Sequence, residues 1–417
     1  MAEPFPAEGL PLEQARQAVL AALSAAPLVE SLPLQEALGR LSAAPVLAPE
    51  SVPGFRASIL DGYAISTPEP PAPGTRWQLV GRSAPGAPYG AELGAGEAIR
   101  ILTGAPLPTG AQRVLPQEQV QCPTATTLEL VEPVSDQPWI RAADEEASAG
   151  QQLLAAGTRL GAAELARLAS CGISQLAVTV RPRLGLLITG DELIPPGERR
   201  PPGAIWESNG TLLESLLTRL GYPVAQRRVV ADDPAALRLA LQELAAASDV
   251  VVSTGGVSAG DSDWIRPLLA ELGEVAFWKL FLKPGRPFAF GSLQGPSGQA
   301  IPFFGLPGNP VAAAITALQL LWPALQQLEG AKPQRLPRFQ LPLAQDLHRR
   351  AGRPELARAR LHVDGSGAPM AWLEGSQASS RIGSLQEADL LLELPAEATH
   401  LAAGTPVWAQ LLRLPIF

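Results

Sequence analysis

The segment DVVVSTGGVSAGDSD, from Asp249 to Asp263, carries the residue types that most clearly indicate chemistry. It begins as a β-branched run, which predicts a strand buried on both faces of a parallel sheet. Small residues follow, whose backbone N–H groups can approach a ligand closely. The segment therefore offers hydroxyls and amides for an anion, and carboxylates for a hard cation. The residues concerned are Ser253, Gly255, Gly256, Ser258, Gly260, Asp261 and Asp263. A tight strand-to-helix turn would account for the glycines but not for both aspartates.

Acidic residues also follow two other predicted strands. Asp191 and Glu192 come after LGLLITG, and Asp232 and Asp233 come after PVAQRRVV. Solvation alone would account for the first pair, and helix capping alone for the second. Because ligands bind at the carboxyl ends of strands in open α/β sheets, we expect the three loops to converge. Carboxylates beside anion-binding amides predict Mg²⁺ bridged to a phosphate, with Asp191, Glu192, Asp232, Asp261 and Asp263 as the candidate ligands.

A helix N-terminus supplies the next candidate anion site. In the loop Pro307–Pro310, Asn309 can cap a helix and Pro310 would occupy its first position. The N–H groups of that first helical turn are suited to a phosphate. Pro307 and Gly308 complete this loop.

Lysine is rare in this chain, which has 32 basic residues but only Lys279, Lys283 and Lys332. The first two fall in FWKLFLKPGRP at even spacing, so on a strand they would project from one face. Together with Arg286, they indicate a site that requires compact positive charges. Two solvated lysines on an edge strand would also account for them.

The elements that must position these residues alternate between strand and helix from 183 to about 329. Repeated β-α units predict a doubly wound, largely parallel sheet. A mixed helical and β region precedes it and a small β domain follows, so the fold class is α/β multidomain. A final helix of the α/β domain is expected to be interrupted at Pro323. The predicted domains are 1–45 plus 141–180, an inserted β domain 46–140, the α/β domain 181–329, and the C-terminal domain 335–417.

The composition is that of a globular enzyme, with 46% hydrophobic and 17% charged residues in 417. A net charge of −8 argues against a nucleic-acid-binding surface. The chain has two cysteines and three histidines, none clustered in sequence, which argues against a disulfide framework and a zinc site. No signal peptide precedes the first helix, and no apolar run reaches about 18 residues, so we expect a cytoplasmic protein with no membrane segment.

Several motifs of the α/β domain belong together: STGGVSAGDSDW, TGDEL, FWKLFLKPGRPFAFG and LPGNPVAA. The N-terminal half adds Ser58–Ala64, RILTGAPLPTGAQRVLPQE and IRAADEEASAGQQLL. On these motifs the chain resembles the molybdopterin molybdenumtransferase family, whose animal relative is the E domain of gephyrin. These motifs follow one another in the family's order over nearly the whole chain.

The resemblance implies four subdomains and an elongated homodimer, with a site between the α/β domain of one subunit and the N-terminal region of the other. It implies that adenylylated molybdopterin and molybdate are converted to molybdenum cofactor with Mg²⁺ and release of AMP. It also implies hand-over of the substrate from the preceding molybdopterin adenylyltransferase.

Family positions can be carried over residue by residue. Those important for activity match Asp61, Thr103, Glu192, Asp232, Asp263, Pro307 and Pro310. The region that would meet molybdate or the pterin phosphate matches Lys279, Lys283 and Arg286, and Arg358, Ser379 and Ser380 are candidates for molybdate contact. Two places depart from the family. Glu146 stands where an Asp is usual, and Glu207 replaces an Asp two residues before Asn209.

Two other functions remain open at this point. The adenylyltransferase of the preceding step shares the α/β domain, although it would need only the middle of this chain. A gephyrin-like scaffold would bind partner peptides without catalysis. The sequence does not distinguish molybdate from tungstate.

Overall fold

The computed structural model describes residues 9–25, 27–257, 264–373 and 375–413. Two compact units make up the chain. The large unit comprises Met1–Glu30, Gly39–Leu41 and Val178–Phe417, and the small unit comprises Ser31–Leu38 and Ser42–Ala177.

A six-stranded sheet is the core of the small unit. Its strand order is Arg113–Pro116, Gly62–Ile65, Glu97–Ile101, Arg76–Ser83, Thr127–Leu130 and Val120–Thr124. All neighbours are antiparallel except Arg76–Ser83 beside Glu97–Ile101. Burial alternates along Thr127–Leu130, where Leu128 and Leu130 face the core. This period of two is what a half-buried strand requires, and it confirms the predicted β character of this region.

Short elements complete the small unit. Its other strands are Val46–Leu47, Ala57–Ser58, Ile140–Arg141 and Gln152–Leu154. Two more strands, Val29–Pro33 and Gln175–Thr179, span the unit boundary. The helix Ala162–Ser170 is followed by Gly172 at φ +78°, the left-handed residue expected after a helix end.

The large unit contains the doubly wound sheet, which confirms the predicted fold class. The strand order is Val224–Val230, Leu184–Thr189, Val250–Thr254, Ala300–Leu306, Ala289–Gln294 and Gly273–Trp278. The first four strands run parallel, and Ala289–Gln294 is antiparallel to both of its neighbours, Ala300–Leu306 and Gly273–Trp278. Its helices are Asn209–Arg219, Pro234–Ala247, Ile265–Leu272 and Pro310–Glu329.

Successive residues of the central strands pack on opposite faces of this sheet. Leu186 and Val252 lie in one apolar cluster, whereas Leu187 and Val251 lie in the other. Each of these side chains is at most 1% exposed. Burial on both faces explains why the strands read as continuous apolar runs rather than as an alternation.

The first helix, Leu12–Ala21, belongs to the large unit. Ala15 and Val19 are fully buried in the same cluster as Leu186 and Val252. The predicted boundaries of the four domains stay a proposal.

The long helix Pro310–Glu329 stays helical throughout, but its α-helical pattern is interrupted just before Pro323, in the predicted region. A π-helical segment, Ala317–Leu321, directly precedes the last part of the helix, Trp322–Glu329. The wider turn accommodates a proline that cannot donate a backbone hydrogen bond. This helix is apolar and long enough to cross a membrane, but 89% of its apolar window is buried inside the protein. It is a core helix.

The C-terminal part of the large unit is a small β structure, as predicted. Its five-stranded sheet has the order Arg338–Pro342, Pro406–Leu411, Leu390–Leu394, Glu355–Val363 and Pro369–Trp372. Leu347–His348 pairs separately with His400–Leu401, and the short helix Gly383–Gln386 follows the strand Pro369–Trp372 in the chain.

Candidate functional site

A cavity of about 1100 Å³ lies in the large unit, between the carboxyl ends of the parallel strands and the C-terminal β structure. Many of the residues singled out from the sequence line it. They are Glu192, Asn209, Asp232, Gly255, Gly256, Lys283, Arg286, Pro307, Gly308, Asn309, Pro310, Ser379 and Ser380. The expected convergence of strand-end loops therefore occurs.

The glycine loop after Val250–Thr254 requires glycine at its first position. Gly255 has φ +91°, and a Cβ there would lie 2.4 Å from the carbonyl oxygen of Thr189. Gly256 also has a positive φ, of +62°. The absence of side chains at these two positions lets the two neighbouring loops pack directly against each other.

Asn209 holds two loops of the cavity wall together. Its Nδ2 donates to Thr254 Oγ1 at 2.9 Å and to the Gly308 carbonyl at 2.7 Å. Thr254 Oγ1 in turn donates to the Pro307 carbonyl at 3.1 Å. One amide therefore fixes the glycine loop relative to the Pro307–Pro310 loop.

The acidic wall of the cavity is formed by Glu192 and Asp232. Asp232 accepts a short hydrogen bond from Thr189 Oγ1, and its backbone N–H donates to Asp191 Oδ1 at 2.9 Å. Asp191 does not line the cavity and instead supports the Asp232 loop. The neighbouring Asp233 caps Pro234–Ala247 by accepting from Ala236 N at 2.8 Å. The capping explanation therefore fits Asp233, and Asp232 faces the cavity.

The basic wall is formed by Lys283, Arg286 and Arg353. Lys283 Nζ lies 2.9 Å from Oε1 of the buried Glu355. Burial, and then the nearby positive charge of Arg286, lower the pKa of Arg353 from its ordinary value. Positive charge concentrated in this way favours an anionic ligand.

Lys279 and Lys283 do not share one strand face, so that prediction is wrong. The strand Gly273–Trp278 ends before Lys279, which has φ +69° and lies with its Nζ 3.7 Å from the centroid of the Trp278 ring. The left-handed residue turns the chain out of the sheet, which breaks the alternation on which the prediction depended. Lys283 lines the cavity and Lys279 does not.

The N-terminus of Pro310–Glu329 borders the cavity. Asn309 occupies the capping position, although its side chain makes no capping hydrogen bond. The N–H of Val311 donates to the Ser379 carbonyl at 3.1 Å, so one N–H of the first turn is engaged by the protein itself. The helix N-terminus therefore offers a phosphate fewer N–H groups than the sequence predicts.

Arg358 lies behind the segment 377–380 rather than in the cavity. It is 2% exposed, and its Nε and Nη2 donate to Ser384 Oγ at 3.1 Å and to the Ala378 carbonyl at 3.2 Å. Burial lowers the pKa of its guanidinium. The structure therefore makes Arg358 a support for the wall that Ser379 and Ser380 form.

Ser253 is also withdrawn from the cavity wall. It is fully buried within Val250–Thr254, and its hydroxyl has no hydrogen-bond partner among the described residues. The remaining predicted members of this loop, Ser258, Gly260, Asp261 and Asp263, lie outside the described residues.

Three predicted residues lie in the small unit. Asp61 Oδ1 accepts from Thr103 N at 2.7 Å and from Thr103 Oγ1 at 2.9 Å. These bonds from Thr103 hold the pKa of the Asp61 carboxyl below its ordinary value. Glu146 Oε1 lies 3.1 Å from Arg167 Nε, so the unusual Glu is ion-paired within the same unit.

Three charged or aromatic residues of the cavity wall were not predicted as site residues from the sequence. Trp206 lines it with half of its surface exposed, and its Nε1 donates to the Glu198 carbonyl at 3.2 Å. Arg353 had no motif to mark it. Glu207, noted only as a departure from the family, is buried and accepts from Gly210 N at 2.7 Å. The only sequence signal for Trp206 was that a large aromatic residue stands between the apolar Ile205 and the acidic Glu207.

Two of the three histidines cluster in space, contrary to the expectation from sequence. His348 and His400 stack with ring centroids 4.5 Å apart, because antiparallel pairing places them opposite each other. With Asp346 they form the one group of three potential metal-ligating side chains found among the described residues, and it lies outside the cavity lining.

Comparison with known families matches three regions of the chain. The "MoeA N-terminal region (domain I and II)" matches 10–172, a "Probable molybdopterin binding domain" matches 185–327, and the "MoeA C-terminal region (domain IV)" matches 340–412. The order of these regions agrees with the motifs along the sequence.

Whole-chain relatives agree with these matches. The molybdopterin molybdenumtransferase of Haemophilus influenzae is 33% identical over 95% of this chain and 97% of its own length. Gephyrin of Dictyostelium discoideum is 27% identical, over 92% of this chain and 59% of gephyrin. The crystal structure of a molybdopterin biosynthesis MoeA protein from Pyrococcus horikoshii, 25% identical, superposes with a TM-score of 0.80 over 97% of this chain and all of that one. By the length and identity of these matches, the chain belongs to the molybdopterin molybdenumtransferase family.

Proposed function

We propose that this protein inserts molybdenum from molybdate into adenylylated molybdopterin, cleaving the adenylate and releasing AMP. The observation that carries the proposal is the division of a single cavity into an acidic wall, with Glu192 and Asp232, and a basic wall, with Lys283, Arg286 and Arg353. A substrate with a pyrophosphate needs both a cation site and anion-binding groups.

The basic wall is proposed to bind molybdate and the pterin phosphate. Molybdate is a tetrahedral dianion, so it favours several converging donors over one strong ion pair. Lys283 and Arg286 supply positive charge, and the hydroxyls of Ser379 and Ser380 supply neutral donors on the same cavity. Arg358 acts here as a positioning residue, because it bonds the segment that carries the serines.

The acidic wall is proposed to hold Mg²⁺. Glu192 and Asp232 present carboxylate oxygens, which are the ligands that Mg²⁺ prefers. Mg²⁺ bound there would lower the negative charge that the phosphate oxygens present to an attacking group. The Asp191 carboxylate would keep Asp232 in place by accepting a hydrogen bond from the Asp232 backbone N–H. Asp261 and Asp263 stay in the proposed ligand set on sequence grounds alone.

The glycine loop and the helix N-terminus are proposed to position the phosphates. Asn209 fixes the glycine loop to Gly308, so the loops can present their amides in one arrangement before the substrate arrives. Trp206 and Ile205 offer apolar surface on the same cavity. We assign that surface to a planar ring of the substrate, either the adenine or the pterin.

Asp61, Thr103 and Glu146 are proposed to contribute to activity from the small unit. The hydrogen bonds from Thr103 keep the Asp61 carboxylate ionised and oriented. Homodimer formation and a cytoplasmic location belong to the same proposal. The small unit exposes Leu38 and Leu47, side chains of the type that a subunit interface covers.

The proposal is tested by reconstitution with three separate readouts. The purified protein should restore a molybdenum-free apoenzyme when given adenylylated molybdopterin, Mg²⁺ and molybdate. It should not form adenylylated molybdopterin from molybdopterin and ATP. ATP-dependent adenylylation would instead identify the enzyme of the preceding step. Binding of the adenylylated substrate without any turnover would favour a scaffold or carrier.

A further inference from the structure

Two of the three histidines in this chain meet at the edge of the C-terminal β structure. His348 and His400 are direct cross-strand partners in the pairing of Leu347–His348 with His400–Leu401. Their rings are stacked with an interplanar angle of 18° and centroids 4.5 Å apart. Both side chains are exposed. The backbone therefore holds two accessible imidazoles side by side.

A carboxylate is fixed beside this pair. Asp346 Oδ1 accepts a hydrogen bond from Ala403 N at 2.8 Å, and its Oδ2 lies 3.8 Å from His400 Nε2. One ligand atom from each of Asp346, His348 and His400 lies within 4.8 Å of the other two. The bond to Ala403 leaves the second carboxylate oxygen facing the imidazole.

We infer that Asp346, His348 and His400 form a binding site for a transition-metal dication of the Zn²⁺ or Ni²⁺ class. Zinc–nitrogen bonds are about 2.0–2.1 Å long, so two nitrogens on one ion lie at most about 4.2 Å apart. Ligand atoms already within 4.8 Å can reach that spacing by rotation of side chains, with no movement of the paired backbone. Two imidazoles and one carboxylate leave coordination positions for water, so the ion would exchange with solvent.

The types of ligand at this site favour a different metal ion from the one favoured by the cavity. Imidazole suits zinc, nickel and copper, whereas carboxylates and water suit magnesium. The acidic wall of the cavity offers oxygen ligands and would take Mg²⁺. Aromatic stacking alone would explain the two rings, but it would not require a carboxylate held beside them. The inference is independent of the proposed molybdenum chemistry.

Calorimetry on the whole chain tests the site. Tag-free protein that has been treated with a chelator is titrated with Zn²⁺ in a buffer that contains excess Mg²⁺. The Mg²⁺ occupies the oxygen-lined sites. We expect one Zn²⁺ per chain, with the affinity reduced at least tenfold in His400→Phe, since loss of even a supporting partner of a metal ligand costs about 10–100-fold. The phenylalanine keeps a ring for stacking but has no ligand nitrogen. Asp346→Asn should weaken binding in the same direction.

His362 provides the matched control. It lies in the same domain, with its ring 5.6 Å from the Trp372 ring, and is not part of the cluster. His362→Ala should bind Zn²⁺ as the unmodified protein does. Absence of saturable Zn²⁺ binding, or equal affinity in His400→Phe and the unmodified protein, would overturn the inference.

A spectroscopic measurement gives a second, independent readout. With three histidines in the chain, the imidazole proton resonances can be assigned from single variants. Substoichiometric Ni²⁺ should broaden the resonances of His348 and His400 together and leave those of His362 sharp. Earlier or equal broadening of His362 would contradict the site.

Discussion

The side-chain amide nitrogen of Asn209 lies 2.7 Å from the carbonyl oxygen of Gly308 and donates a hydrogen bond to it. The same nitrogen donates to Thr254 Oγ1 at 2.9 Å. Gly308 follows one parallel strand and Thr254 ends another, so a single side chain sets the separation of two cavity loops. In the proposed reaction, those loops position the phosphates of the substrate.

Asn209→Ala should lower the rate of AMP release about 10–100-fold, because a shift of about 1 Å at a positioning group can cost that much. Gln327→Ala is the matched control. Its amide also donates two hydrogen bonds, to the Leu20 and Leu23 carbonyls, but away from the cavity. Both variants should lose about 1–3 kcal/mol of unfolding free energy. Only Asn209→Ala should lose activity per folded molecule, and equal activity losses would argue against the loop-positioning role.

Gly255→Ala should destabilise the protein by about 1–3 kcal/mol, because alanine is strained at φ +91° and its Cβ would clash with the Thr189 carbonyl. Gly308→Ala should change stability far less, since its added Cβ would meet no atom of the described residues closer than 3.6 Å. Denaturant unfolding of the two variants compares them directly. Similar losses would show that the glycine loop is less constrained than the geometry indicates.

Asp232→Asn should raise the Mg²⁺ concentration needed for half-maximal AMP release by at least about tenfold, because it removes a charged oxygen ligand from the acidic wall. The adjacent Asp233→Asn serves as the control. Asp233 caps Pro234–Ala247 and is expected to affect stability by at most about 1 kcal/mol while leaving the Mg²⁺ dependence unchanged. A Mg²⁺ shift in both variants, or in neither, would contradict the assignment of Asp232.

Lys283→Ala should raise the molybdate concentration needed for half-maximal activity by about tenfold or more, since a charge-assisted contact is worth about 1.5–3 kcal/mol. Lys332→Ala, an exposed lysine outside the cavity lining, should leave that concentration unaltered. The variants are compared in steady-state assays at saturating adenylylated molybdopterin. An unchanged molybdate requirement in Lys283→Ala would remove this residue from the basic wall's proposed role.

The Arg183–Asp249 pair predicts a pH dependence of stability. Asp249 accepts from Arg183 N at 2.8 Å and from both Nε and Nη2 of the guanidinium. Burial raises the pKa of the Asp249 carboxyl, but the bonds from Arg183 outweigh it, and the pKa falls below its ordinary 3.8. The stabilisation is therefore present above about pH 4 and is lost as the pH falls through the lower, folded-state pKa.

Urea unfolding of Asp249→Asn and the unmodified protein should show this difference. The two free energies of unfolding should differ by up to about 1 kcal/mol at pH 7, because the pair is partly exposed. They should converge as the pH is lowered below 4. If the difference in unfolding free energy stayed constant across this pH range, the ionised carboxylate of Asp249 would not be the source of the stabilisation.

The sequence predicted the doubly wound sheet and the loops that meet at its edge because both depend on local patterns. Continuous apolar runs and strand-end glycines are visible without any tertiary information. The sequence could not predict that Arg358 supports a wall from behind, or that Lys279 turns out of the sheet. Those outcomes depend on where the C-terminal structure packs and on one left-handed residue. Trp206 and Arg353 reach the cavity through tertiary packing alone.

Molybdenum insertion by this protein can be measured by following AMP release and cofactor formation in one sample. Purified protein is mixed with adenylylated molybdopterin and Mg²⁺, with and without molybdate. Molybdate should stimulate AMP release, and active cofactor should form with it. At Mg²⁺ and molybdate concentrations that half-saturate the unmodified protein, folded Asp232→Asn and Lys283→Ala should give less of both. The proposed insertion of molybdenum at this cavity would be contradicted if AMP release were absent or unchanged by molybdate and no cofactor formed.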